Sequence, residues 1–492
     1  MRLLICALLL AAAARSAEPA EELTQSVRSL TSTLQVLEER LADPVNVTEA
    51  LYQGALPAMV RTLDPHSAFL DPQQFEALAE MQRSTEKGFG SIVSLTPGRV
   101  VVLQTLAESP SAKAGLSPGD EIVAMNGYQL AQLSIEQLVG LLTEARQHSV
   151  QLMVKRPNFV RLIPMTLVPE ELADPSVQGK FHITPDVAYI KIANFEAATD
   201  RELHQAIENL GGHRLKGLVL DLRDNPGGVI EAAVRAAALF LEPDQRILWI
   251  RGREGPQEEV RAPEHFPSYD FPLAVLIDSR TASAAELLAG ALQDHDRAVL
   301  VGLRSFGKGL VQSVFPLSEG AGLALTTAQY LAPSGRVIQR LYNNCKDYQM
   351  GPCDEDPDEP KSFRTDSGRE IPGGGGIAPD RVVYPETYFF SPFQAFLKGN
   401  NAFFDFAQQH LRRHNVDVGE DFEVTPEMLD QFQLFLSERG VQVTLAEWTA
   451  TLEFIRQNLK QEIVNLTFGV ERGDQIELGH DPQVLAAIES LG

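Results

Sequence analysis

The chain has 492 residues, 44% of them hydrophobic and 22% charged, with a formal net charge of −24. That length allows two or three domains, and the composition is that of ordinary globular material, neither disordered nor membrane-spanning. So large an acid excess argues against a nucleic-acid partner, because phosphate binding needs basic patches, and it keeps the protein soluble.

The chain opens on Met1-Arg2 and then LLICALLLAAAA, a short positive region followed by an apolar run, with small residues for cleavage in ARSA. The run is too short to span a bilayer comfortably. Residues 1–17 are therefore expected to be a signal peptide, which would export the protein to a periplasm or cell envelope. Cys6 lies inside the apolar run, so Cys345 and Cys353 are the cysteines of the mature chain. In an oxidising compartment this pair can form a small loop disulfide; two unpaired thiols are the alternative. CxxC spacing is absent and nothing nearby supplies a zinc-binding set, so no metal is expected.

Residues 18–83 read as helical, with apolar residues at three- and four-residue steps in LTQSVRSLTSTLQVLEERL and LYQGALPAMVRTL, and helix-start signals at Asp64-Pro65 and Asp71-Pro72. His66, alone in a Pro-bounded turn, reads as structural. From 84 to 168 the character changes to short strands and turns: KGFGSIVSL, VVVLQTL, a short helix at SPSAK, a Pro-Gly-Asp turn, an Asn-Gly hairpin signal, the helix IEQLVGLLTEA and the strand VQLMVKR.

After the linker LVPEELADPSV, residues 169–390 alternate strand and helix from VAYIKIANF onward, the pattern of a sheet with helices on its faces. The strand GLVLDL runs into RDNPGG and then a helix. Gly227 and Gly228 thus present main-chain N–H groups near a helix start, a good anion site; a tight turn needing positive φ explains them equally well. PLAVLI is a buried strand followed by TASAAELLAGALQD, which has helical spacing. Ser283 sits at that junction among Ala282, Ala284 and Ala285. Small neighbours leave room for a substrate, and the free N–H groups of the helix start point at a developing oxyanion. Ser283 with Glu286 also spells S-x-x-E, a capping box that needs no chemistry. Lys308 follows 25 residues later between Gly307 and Gly309, framed by Phe306 and Leu310. Partial burial there would disfavour its charged form, and a neutral amine can act as general base for a serine. Gln312, four residues on, falls on the same side of a helix or strand and is placed to orient that amine; a plain surface amide is the alternative. A Ser–His–Asp arrangement with His295 and Asp294 or Asp296 is the rival, but the histidine lies about 18 Å along the helix that Ser283 starts. Residues 340–375 form an acidic insert (DEDPDEP) expected to be a surface loop, and 391–492 turn helical again, a packed cap by default.

TASAAELLAGALQDHDRAVLVG followed by SFGKGLVQ resembles the signature of the carboxyl-terminal processing (tail-specific) proteases, which are serine–lysine peptidases, and the resemblance runs from about residue 50 to 385. It implies Ser283 as nucleophile, Lys308 as base and Gln312 as support for the lysine. LDLRDNPGG resembles the same family, and implies an oxyanion hole from Ala284 with Gly227 or Gly228. Thr281 and Ala285 stand where the family often has serine. Residues 84–168 resemble a PDZ domain, with Gly88, Phe89, Gly90 and Ser91 as the loop that captures a terminal carboxylate while an extended peptide adds to the sheet edge; a brace or gate for the protease is the alternative role. The implied fold is α+β and multidomain: a PDZ domain and a crotonase/Clp-protease-like α/β core between helical N- and C-terminal segments. The implied activity is that of an exported serine endopeptidase engaging C-terminal or unfolded regions of protein substrates through an acyl-enzyme, with no cofactor. A homo-oligomer and an adaptor protein are further expected partners. A non-catalytic or partner-gated PDZ scaffold is the rival reading.

Overall fold

The computed structural model describes residues 23–43, 46–76, 87–96, 98–106, 109–146, 148–156, 159, 161–171, 175–253, 257–264, 268–341, 362–414, 418–419 and 422–492. The expected signal peptide, Cys345 and Cys353 lie outside these residues. The chain divides into two units, one of residues up to 82 together with 312–327, the other of 83–311 and 328–492.

In the first unit, helix α1 (23–40) carries Leu23, Val27, Leu30, Leu34 and Leu37 along one stripe, and most of that stripe is exposed. The region is not helical throughout, as its periodicity suggested. Ala68–Leu70 forms a short strand, β1, paired antiparallel with Gly322–Ala324. Asp64 ends the helical stretch by accepting the N–H groups of His66 and Ser67, each at 2.7 Å, and the Ser67 hydroxyl. Ser67 Oγ in turn accepts the N–H of Thr326 at 3.0 Å. An Asp-Pro turn can therefore seed a strand as readily as a helix when a partner edge is available.

The second unit has a six-stranded antiparallel sheet in which β2 (Ser91–Thr96), β3 (Arg99–Thr105), β4 (Glu121–Met125), β5 (Val150–Lys155) and β6 (Ile163–Leu167) follow the order β2-β3-β4-β5-β6, while the short strand Tyr128–Gln129 pairs with β4 off that path. Helix α2 (Ile135–Ala145) starts at a capping box of Ser134 and Gln137. Val100, Val102, Ile122, Val150, Leu152 and Val154 bury one face, and β2 is the sheet's edge.

A second sheet of six strands follows, from β7 (Val177–His182), β8 (Val187–Ile192), β9 (Gly217–Asp221), β12 (Leu273–Ile277), β13 (Val299–Gly302) and β16 (Arg381–Val382), in that order. All neighbours pair in parallel except β7 with β8. Strands β9 and β12 are buried at every position, as parallel strands covered on both faces must be. Leu218, Leu220, Val275 and Ile277 face α3 (Thr199–Leu210), α4 (Ile230–Ala238) and α5 (Ala284–Asp294); Val219, Leu276 and Val301 face α10 (Pro482–Glu489) near the chain's end. Beside them β10 (Arg246–Gly252) pairs with β11 (Glu258–Arg261) and with Ala328–Leu331.

Two expectations need correction. The core sheet does not begin at VAYIKIANF, because β7 precedes it and pairs along β8. The insert is not loop throughout: Ser362–Arg364 (β14) and Glu370–Pro372 (β15) make a hairpin that buries Ile371 and sets Pro372 O 3.4 Å from buried Arg336. The C-terminal helices α6 (Ala402–His414), α7 (Pro426–Glu438), α8 (Leu445–Phe468) and α9 (Val470–Leu478) follow, and Phe403, Phe406, Phe432, Phe435 and Phe454 are buried in a core of their own. That bundle also meets the first sheet, through Arg99 with Asp405 at 2.6 Å and Asn401 with Ser94 Oγ at 3.3 Å. Among the described residues no helix is long and apolar enough to cross a membrane.

Candidate active site

Strand β12 delivers Ser283 through a turn held on both sides. Asp278 Oδ1 accepts the N–H groups of Arg280 at 3.0 Å and Thr281 at 2.9 Å, and that of Asp224 from the neighbouring turn at 3.1 Å. Buried Thr281 donates its hydroxyl to Leu222 O at 2.8 Å, and the Ala282 N–H goes to Asn225 O at 2.9 Å. The turn forces Ser283 to φ 54°, ψ −117°. Such a conformation costs a non-glycine residue about 1–3 kcal/mol and persists only where the surroundings over-determine it. It lifts the half-buried serine side chain out of the sheet at the first residue before α5. The Ala284 N–H, first in that helix, has no partner among the described residues.

The capping-box reading and the nucleophile reading meet in Glu286. This carboxylate is fully buried. Oε2 accepts the Ser283 N–H at 2.8 Å and the Lys308 N–H at 2.8 Å; Oε1 accepts the Gly307 N–H at 2.7 Å and the Ser305 hydroxyl at 2.5 Å. The Glu286 N–H donates back to the Ser283 carbonyl oxygen at 2.9 Å. The main-chain nitrogens of Ser283 and Lys308 are thus no farther apart than twice 2.8 Å, because they share one oxygen. Burial pushes the Glu286 carboxyl above its ordinary pKa, against the lowering effect of these hydrogen bonds. Ser305 extends the junction by accepting the Ile377 N–H at 2.6 Å, and the half-buried Lys308 side chain leaves the turn between two glycines.

The Gly227–Gly228 turn completes the cluster. Both residues have positive φ, 100° and 138°. A Cβ on Gly227 would lie 2.8 Å from Ser283 Cβ and 3.0 Å from Ala284 N, so this turn abuts the serine. Buried Asn225 fixes it, accepting the Gly227 N–H at 2.8 Å and donating to Ile192 O at 2.8 Å. The Gly227 N–H is therefore engaged, whereas that of Gly228 has no partner among the described residues. The N–H groups of Gly228 and Ala284 thus have no partner among the described residues, beside the engaged N–H of Gly227.

Other expected residues fall elsewhere. Gln312 is exposed and its amide donates to His66 O at 2.6 Å in the first unit. His295 caps the far end of α5, with Nδ1 2.7 Å from Asp366 and Nε2 2.6 Å from Arg246 O, which removes it from the serine. In the loop Gly88–Ser91, Gly90 has φ 67°, and the Phe89 and Gly90 carbonyls accept from Ser111 at 2.9 Å and Leu106 at 2.8 Å. Glu286 as junction, and Asn225 and Thr281 as supports, were not anticipated. The one local signal was the S-x-x-E spacing.

Residues 186–342 match the model of peptidase family S41, and residues 78–155 that of the PDZ domain. The chain is 35% identical over 316 residues to a carboxyl-terminal-processing protease of Synechocystis sp., covering 62% of this chain and 72% of that protein. It is 33% identical over 300 residues to a carboxy-terminal-processing protease of Bartonella bacilliformis, covering 60% and 68%. A solved structure, the photosystem II D1 C-terminal processing protease, is similar at 26% identity and a TM-score of 0.42, covering 72% of this chain and 86% of that one.

Proposed function

The chain belongs to peptidase family S41, the carboxyl-terminal-processing proteases, and is a serine-type peptidase with a PDZ domain; from that premise we propose that it is an exported endopeptidase working through Ser283 and Lys308. The observation that supports this reading best is the shared carboxylate oxygen, which holds the serine turn and the lysine turn in one register. The Lys308 amine, when neutral, takes the Ser283 hydroxyl proton as Oγ attacks the peptide carbonyl. The oxyanion forms against the N–H groups of Ala284 and Gly228, each worth about 3 kcal/mol in comparable sites. The Lys308 proton passes to the leaving amine as the C–N bond breaks, leaving an ester on Ser283 that water hydrolyses. On the family's pattern Gln312 supports the lysine.

The PDZ domain presents substrates by pairing a peptide's C-terminal or unfolded segment with the edge strand β2, above the loop Gly88–Ser91. A homo-oligomer is favoured by the exposed stripe of α1, whose 3–4 spacing is that of a coiled-coil seam. An adaptor protein is a further partner of this reading. The expected leader would carry the enzyme to the periplasm or cell envelope.

The test is degradation of an unfolded protein by the mature chain beside Ser283→Ala and Lys308→Ala, followed from about pH 6 to 10. Loss of turnover in both variants, with a wild-type rate that climbs as an amine loses its proton, is the expected result. Turnover surviving Lys308→Ala overturns the dyad, and a wild type without turnover leaves the scaffold reading.

A further inference from the structure

Arg223 follows β9 and opens the turn that carries Asn225, Gly227 and Gly228. Its guanidinium doubles back on buried Asp221, with Nη2 2.6 Å from Oδ2 and Nε 3.0 Å from each oxygen, while the Tyr189 hydroxyl donates to Oδ2 at 2.7 Å. The remaining nitrogen, Nη1, points away from the sheet. It donates to Asp481 Oδ2 at 2.6 Å and Gln483 Oε1 at 2.8 Å. Asp481 is the N-cap of α10, accepting from the N–H groups of Gln483 at 2.7 Å and Val484 at 3.2 Å. Gln483 is itself anchored, its amide donating to Val383 O at 2.7 Å.

Arg223 is thus held by Asp221 on one side and, on the other, by residues 258 and 260 positions away in the chain. On its sheet side the turn is packed, with Leu222, Asn225 and Gly227 buried. Its other side lines a cavity of about 540 Å³ that Lys191, Arg280, Asp474 and Leu478 also line. Where a turn borders open space, its position is set by its polar bonds, and charge-assisted bonds to guanidinium are the strong ones. The side chain of Arg223 is only 13% exposed, so a lost partner leaves a poorly solvated charge that must move to find water.

We propose that Asp481 and Gln483 are positioning residues of the peptidase, which through Arg223 hold the 222–228 turn at the height where the Gly228 N–H meets the oxyanion. The C-terminal segment is then part of the catalytic apparatus and not solely a cover. This rests on the reading of Ser283 and Gly228 given above. Neither residue touches the substrate; both act on the donor through Arg223.

The decisive variant is Asp481→Asn, because asparagine keeps the helix cap while removing the charge that Arg223 meets. Full-length wild type, Asp481→Asn, Arg223→Lys and the double variant are compared with Ser283→Ala. In Asp481→Asn, kcat is expected to fall roughly tenfold with KM within about twofold, since displacing one oxyanion donor acts on the transition state. Phosphonylation of Ser283 by a fluorophosphonate should slow by the same factor, and the double variant should be little worse than the worse single variant. Amide exchange at Asp224, Asn225 and Gly227, whose N–H groups are bonded, should quicken while the melting temperature holds, a readout that needs no turnover. Unchanged kcat, unchanged exchange at these amides, or a kcat loss that merely tracks loss of folded protein each overturn the proposal. Turnover or labelling that survives Ser283→Ala overturns the parent reading instead, and the exchange result still stands or falls alone.

Discussion

The two sheets of the larger unit hold their functional loops in opposite ways. At the carboxyl ends of β9 and β12, strands buried on both faces, the turns are bound by buried Asn225, Thr281 and Glu286 and by half-buried Asp278. On the PDZ sheet the loop Gly88–Ser91 enters an edge strand. It is tied through its carbonyls to Ser111 and Leu106, and β2 has a sheet partner on one side only. On the proposed function the first arrangement fixes main-chain donors in place, as a transition state requires. The second leaves a row of main-chain groups for an incoming strand, which peptide capture requires. On the proposed function, catalytic precision comes from polar residues under the turns, and binding capacity from an unfinished edge.

That contrast can be broken most severely at Gly228. A Cβ there would lie 2.1 Å from Phe195 O, at a φ that side chains avoid. Gly228→Ala is expected to abolish turnover, by about 10³-fold or more, and to lower the melting temperature sharply; circular dichroism beside the activity assay checks both. Next comes Glu286→Gln, which sets an amide where four donors converge. At least one N–H group must then face another donor, so we expect a loss of about 10²-fold in kcat and about 3 kcal/mol of stability by denaturant unfolding. Survival of full activity would show that the two turns do not depend on their shared carboxylate.

A gentler probe is Gly90→Ala in the PDZ loop. Its positive φ makes alanine strained by about 1 kcal/mol. KM for a substrate with a free C-terminal tail should rise a few-fold while kcat holds, and a kcat effect instead would erase the division between the two regions. The smallest effect is expected at Asp474, beside the cavity. Burial, and then the neighbouring Glu477, raise its carboxyl from 3.8 to about 6. Because the folded value is the higher one, its contribution is present below the unfolded pKa and is lost as pH rises through about 6. Asp474→Asn should therefore flatten the stability profile between about pH 4 and 6 and raise the melting temperature by a degree or two at pH 7, as calorimetry across that range would register.

Much of the architecture was legible because burial leaves a pattern. GLVLD and LAVLI read as apolar runs, and IEQLVGLLTEA forms the helix that its spacing indicates. VQGKFH hid as a strand because it is an edge with alternating polar residues, interrupted by Gly179 at positive φ. SFR and EIP are too short to show a period, and only their packing against the core makes them a hairpin. At the site, Ser283, Lys308 and the glycine pair stood out as residue types in telling places. Glu286 was visible solely as a cap, since the return of Ser305, Gly307 and Lys308 to it is a long-range contact that leaves no local trace. Asp481 gave no sign at all. Its partner lies 258 residues upstream, and an N-cap aspartate looks the same whether or not an arginine reaches it.

The docking of α10 on the sheet also has a consequence in time. A chain emerging from the ribosome exposes residues 223–308 before residue 481 exists, by roughly ten to thirty seconds at ordinary synthesis rates. During that interval Val219, Leu276 and Val301 lack the Val484 and Ala487 that cover them, and Arg223 lacks its outer partners. Ser283 is made early and the sheet that carries it is closed last, so on the proposed function a nascent chain holds its nucleophile without the finished peptidase.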